Sequence, residues 1–75
     1  MNNQRRKEII ATTHKIEDII AKIQQILDEE QEAYDNMPEG LQCSEHGMSS
    51  EHAQECLESA IEYLEDAALS LEDID

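Results

Sequence analysis

Lysine and arginine stop at Lys22. From Ile23 to Asp75 the chain has neither, while all but three of its 19 acidic residues (Glu8, Glu17 and Asp18) fall in that stretch. The net charge is −14. Phosphate contact needs cations, so direct nucleic-acid binding by residues 23–75 is not expected. Adsorption to an anionic lipid surface is disfavoured for the same reason. Tryptophan and phenylalanine are absent, and Tyr34 and Tyr63 are the only aromatic residues. Seventy-five residues with so little core volume make one domain at most, at the size where a single core is marginal. No run approaches the roughly 18 apolar residues of a membrane span. The two cysteines, Cys43 and Cys56, do not make a secreted disulfide framework. The basic start (Arg5, Arg6, Lys7) leads into an amphipathic pattern, not an apolar leader core, so a reducing cytoplasm is the expected compartment.

Hydrophobic periodicity reads as helix, loop, helix, an all-α fold. Helix 1 is expected over about 3–35. Ile9, Thr12, Ile16, Ile19, Ile20, Ile23, Ile26, Leu27 and Tyr34 recur mostly at spacings of three and four, one helical face. The neighbouring pairs Ile19-Ile20 and Ile26-Leu27 broaden that stripe beyond a seam for one partner helix. Asn36-Met37-Pro38-Glu39-Gly40 ends the helix. Asn36 is a capping residue, Pro38 cannot continue the ladder, and Gly40 permits a turn with positive φ. A loop is expected over about 36–48, with Leu41 and Met37 folding back to plug the end. Helix 2 is expected over about 49–74, N-capped by Ser49 or Ser50 with Glu51 in its first turn. Ala53, Leu57, Ala60, Ile61, Leu64, Ala67, Ala68, Leu71 and Ile74 form its apolar stripe.

Folded as an antiparallel two-helix hairpin, the chain sets Arg5, Arg6 and Lys7 beside Glu65, Asp66, Glu72, Asp73 or Asp75. Two amphipathic helices cannot enclose a core, so two hairpins are expected to pair as a homodimeric four-helix bundle. Its core would be Ile16, Ile19, Ile20, Ile23, Ile26, Leu27, Leu57, Ile61, Leu64 and Leu71.

Cys43-x2-His46 followed by His52-x3-Cys56 is a chemically sound tetrahedral zinc set, although its half-sites match no common finger spacing. The alternative is four incidental residues near a loop, and no metal or cofactor is favoured. A Cys43–His46 or Cys56–His52 pair would also have the elements of a nucleophile and its base. There is no phosphate-binding glycine loop, no nucleophile elbow and no HExxH, and no enzyme is expected. Glu51, Glu55, Glu58, Glu62, Glu65 and Asp66 repeat at spacings of three and four with no intervening cation. They form a partner-binding surface that imitates a nucleic-acid backbone, or a solvated, solubilising face. Glu30 borders the stripe of helix 1, as a register-fixing polar layer or, the reading favoured here, a rim residue. Ile10 and Leu69 lie off the stripes as isolated aliphatics. His14 is expected to be solvated.

The segment Asp28–Gln42, with Ser44-Glu45 and the acidic, alanine-rich helix after it, resembles a family of small proteins from phages and mobile elements. Those chains carry an N-[IM]-P-E-x-L-Q-x-S tip between two helices, met here by Asn36, Met37, Pro38, Glu39, Leu41, Gln42 and Ser44. The resemblance covers about residues 28–75. It implies a phage or mobile-element origin and carries no assigned activity. Relatives tend to have Arg at the place of His46 and no cysteine at that of Cys43, which lowers the zinc reading. The combined expectation is a non-enzymatic interaction module that inhibits or modulates a host or phage protein with a basic surface. The alternative is a small structural or zinc-stabilised accessory module.

Overall fold

The computed structural model describes residues 1–74. It is all helical: α1 (Asn3–Asp35), α2 (Glu39–Gln42) and α3 (Glu45–Glu72). α1 begins at Asn2, whose side-chain carbonyl accepts the Arg5 N–H at 2.8 Å and so satisfies one of the free donors of the first turn. It ends at Asn36, whose N–H bonds back to the Glu32 carbonyl, while the next N–H, that of Met37, bonds to the Tyr34 carbonyl. At 33 residues it is about 50 Å long, and the 28 residues of α3 give about 42 Å.

The connection departs from the sequence expectation. In place of a loop over 36–48 there is a short turn, the single-turn helix α2, and two residues, Cys43 and Ser44, before α3. Pro38 sits at φ −58° and N-caps α2, where its missing N–H costs nothing. Gly40 does not take a positive φ, nor does any other glycine among the described residues. Ser44, not Ser49 or Ser50, precedes α3, and its hydroxyl donates to the Leu41 carbonyl instead of capping. Glu45, not Glu51, is therefore the acid of the first turn.

Gly47 explains the difference. It reads as a helix breaker in sequence, yet it is buried inside α3. A Cβ built there would lie 2.1 Å from the Gln42 carbonyl oxygen. The backbone of α2 presses against the first turn of α3, and only a residue without a side chain allows that approach. Leu41 does not plug the end, being 48% exposed, while Met37 is half-buried. At the far terminus α3 stops at Glu72, so Ile74 lies beyond the helical stripe. Asp75 lies outside the described residues.

α1 packs against α3. Ser50 donates to the Glu30 carboxylate at 2.6 Å, and the Tyr34 hydroxyl donates to Glu51. Leu71 shares grooves with Ile9, Thr12 and Thr13. Late residues of α1 thus meet early residues of α3, and early residues of α1 meet late ones. Arg6 and Glu72 line the same groove at the terminal end.

The shape is a rod of 58 × 14 × 12 Å with a radius of gyration of 17.2 Å. A compact chain of this length would have a radius of about 11 Å. Core is correspondingly scarce. Among the described residues only Leu27, Ile61 and Ala68 are buried hydrophobics, and no side chain is fully buried. Ile9, Ile16, Ile20, Ile23, Leu57, Leu64 and Leu71 are half-buried. Ile19 and Ile26, expected in a core, stand 49% and 40% exposed.

Candidate interaction surfaces

Two surfaces of opposite character flank the line where α1 meets α3. The first is acidic. Glu51, Glu55, Glu58, Glu62, Glu65 and Asp66 are all exposed on α3, a helix with eight acidic residues and no lysine or arginine. Spacings of three and four hold six of these carboxylates along one side of the helix. Leu69 stands exposed in the same stripe.

The end of this stripe nearest the tip is anchored. Tyr34 donates its hydroxyl to Glu51, and that bond pushes the phenol above its ordinary 10.0. Partial desolvation and the negative charges of Glu51 and Asp35 act in the same direction. Gln42 reaches back from α2 to the Tyr34 carbonyl at 2.9 Å, so turn, α2 and both long helices are tied at one place.

The second surface is apolar and follows the opposite flank. Two grooves mark its ends. One is lined by Glu30, Met37, His46, Ser49, Ser50 and Ala53, and the other by Met1, Arg5, Glu8, Ile9, Thr12 and Leu71. Thr12 and Glu30 are about five whole turns apart on α1, and Ala53 and Leu71 are about five turns apart on α3. The two grooves therefore lie on the same flank. Between them run Ile16, Ile19, Ile23 and Ile26 from α1 and Ala60, Leu64 and Ala67 from α3.

The cysteine and histidine residues do not assemble. Cys56 Sγ lies 3.5 Å from His52 Nε2 on α3, as their spacing of four requires. Among the described residues, however, no three His, Cys, Asp or Glu side chains come together as a metal would need. The physical reason is the early start of α3. His46 becomes helical and sits about 120° around the axis from His52, while Cys43 is held at the end of α2. The zinc set Cys43, His46, His52 and Cys56 is thus not brought together. Both cysteines are free and exposed, which also sets aside a disulfide between them. Around Cys56 the backbone N–H groups belong to the helix ladder, leaving no pair of donors to hold an oxyanion.

Thr13 and Ser50 are buried polar residues that sequence reasoning missed. Thr13 donates to the Ile9 carbonyl at 2.9 Å and needs no partner across the helices. Ser50 has a legible signal, since it lies seven residues before Leu57 on the packed face of α3. Its bond to Glu30 links the two long helices through a polar pair in which Ser50 is buried and Glu30, lining the groove near the tip, is half-buried. No helix among the described residues is long and apolar enough to cross a membrane. Comparison with known proteins assigns no family: no family model, no curated protein and no solved structure matches this chain.

Proposed function

We propose that this protein is a non-enzymatic protein–protein interaction module of the phage or mobile-element type. In this reading it is an inhibitor or modulator that occupies a basic surface of a host or phage protein. The chain acts as an antiparallel hairpin that pairs with a second copy into a four-helix bundle, leaving the acidic flank free. One observation carries the reading: α3 exposes Glu51, Glu55, Glu58, Glu62, Glu65 and Asp66 along one side and holds no cation to neutralise them. Such a row raises the association rate with a basic groove. The scarcity of buried side chains supports self-association, because a rod this thin gains little from its own core. The shape argues in the same direction on catalysis, since its grooves are open and its exposed Cys–His pair lacks an anion-stabilising neighbour.

Affinity capture from cell extract tests the reading, with the triple variant Glu55→Lys/Glu58→Lys/Glu62→Lys as control. The expected result is a specific protein with a basic patch, retained at low salt, released as ionic strength rises, and lost with the triple variant. Retention of the same partner by the charge-reversed chain would remove the acidic flank from the function.

A further inference from the structure

We propose that the occupant of the apolar flank is a second copy of this chain, seated so that α1 of each copy lies on α3 of the other. This rests on the self-association argued above and adds which face is used and how the copies are arranged.

The face is large enough. A rod about 58 Å long and 14 Å wide presents roughly 800 Å² on one side, the area each partner buries in a standard stable complex. Within it, between Thr12 and Glu30 on α1 and between Ala53 and Leu71 on α3, about 27 Å of its length, the residues that face this flank are uncharged, and Glu30 closes the stretch at the tip end. The exposed Ile19 and Ile26 and the exposed Ala67 have nothing of their own chain to cover them.

Side-chain size selects the arrangement. The α1 flank carries branched isoleucines (Ile16, Ile19, Ile23, Ile26), and the α3 flank carries alanines (Ala53, Ala60, Ala67). Glu30 lies level with Ala53, and Thr12 with Leu71, because each pair lines one groove. The same register sets Ile23 level with Ala60 and Ile16 level with Ala67. A two-fold axis parallel to the helices repeats those levels across the interface and lays each large stripe against a small one. The other two-fold arrangement stacks isoleucine on isoleucine and alanine on alanine, crowding one side and leaving gaps on the other.

Charge selects the same arrangement independently. All five cations of the chain lie on α1, and α3 has eight acids and no cation. Laying α1 on the neighbouring α3 brings Lys15 and Lys22 to the acidic helix of the other copy. The alternative lays α3 on α3, two uncompensated acidic helices side by side.

The test uses Cys56, which borders this flank, at the level of Ile26. In a Cys43→Ser background, one chain retains Cys56 and the other carries Cys56→Ser with Ile26→Cys. Each chain then has a single thiol. The two chains are mixed, allowed to exchange, and oxidised, and covalent dimers are read on non-reducing gels beside sedimentation of the same samples. The expected result is a covalent dimer from the mixture and none from either chain alone. Tyr63→Cys with Ile19→Cys, at two exposed sites in a Cys43→Ser/Cys56→Ser background, repeats the test without opening the packed face. Self-linking of the Ile26→Cys or Ile19→Cys chain would show α1 on α1 and overturn the arrangement while leaving the dimer. A dimer by sedimentation with no linked product from either pair would overturn the seating of α1 on α3. A monomer at micromolar concentration would overturn the arrangement and the dimer together.

Discussion

Gly47→Ala is expected to destabilise this protein although it replaces glycine by the best helix former within the first turn of a long helix. On propensity alone the change would stabilise by about 1 kcal/mol. The surroundings decide otherwise. The added Cβ would stand 2.1 Å from the Gln42 carbonyl oxygen, 2.5 Å from its carbonyl carbon and 2.6 Å from its Cα. All three are backbone atoms, so no rotamer change relieves the contact. The turn joining α2 to α3 must move by an ångström or more, and with it Gln42, whose side chain holds the Tyr34 carbonyl. Overpacking of this kind costs about 1–3 kcal/mol. For a domain of this size each kcal/mol lowers the melting temperature by about 4–8 °C. Gly40→Ala is the control: it also lies in a helix, but a Cβ there meets nothing within 4 Å. It is expected to be neutral or to stabilise by up to about 1 kcal/mol. Thermal unfolding followed by circular dichroism, at one fixed protein concentration, separates the two. A Gly47→Ala chain as stable as the parent, or more so, would refute the close approach of α2 to α3.

Two further outcomes follow from the tip. Ser50→Ala removes the hydroxyl that bonds Glu30 and leaves that carboxylate half-buried without its donor, so urea unfolding should show a loss of about 1 kcal/mol, the ordinary net value of a hydrogen bond and below that of a buried charged one, because Glu30 is partly solvated. An unchanged midpoint would remove the polar pair from the account of register. The Tyr34 phenol is held above 10.0 by its bond to Glu51, so the fold keeps this proton more tightly than the unfolded chain does. Its contribution is present below the ordinary tyrosine range and is lost as pH rises through the raised value. Tyr34→Phe should therefore show a shallower alkaline decline in stability than the parent, and equal declines would contradict that coupling.

Helix type and α1 were legible in the sequence because they rest on local chemistry. The three- and four-residue recurrence of Ile9 to Tyr34 defines α1, and its bounds at Asn3 and Asp35 follow from Asn2 and Asn36 as caps. Charge placement was equally legible, since the exposure of Glu51, Glu55, Glu58, Glu62, Glu65 and Asp66 follows from a helical period that sets them away from the apolar stripe of the same helix. The start of α3 was not. Gly40, Gly47, Ser49 and Ser50 carry the signature of a loop, and local preference alone assigns them there. Tertiary contact overrode it: the proximity of Gln42 turns Gly47 from a breaker into a requirement, and the Glu30 carboxylate turns Ser50 from a cap into a buried bridge.

Helical starts therefore mislead where a neighbouring segment supplies the constraint. The weak zinc candidate was dispersed for the same reason: its four residues, two cysteines and two histidines close in sequence, were parted once His46 entered a helix and Cys43 did not. By itself the sequence determined that the chain is helical, acidic and short of core, because composition and period are properties of residues one at a time. Only the tertiary structure decided where the short tip folds over the start of α3. It alone set isoleucines level with alanines along one flank, because register is a property of two helices in contact.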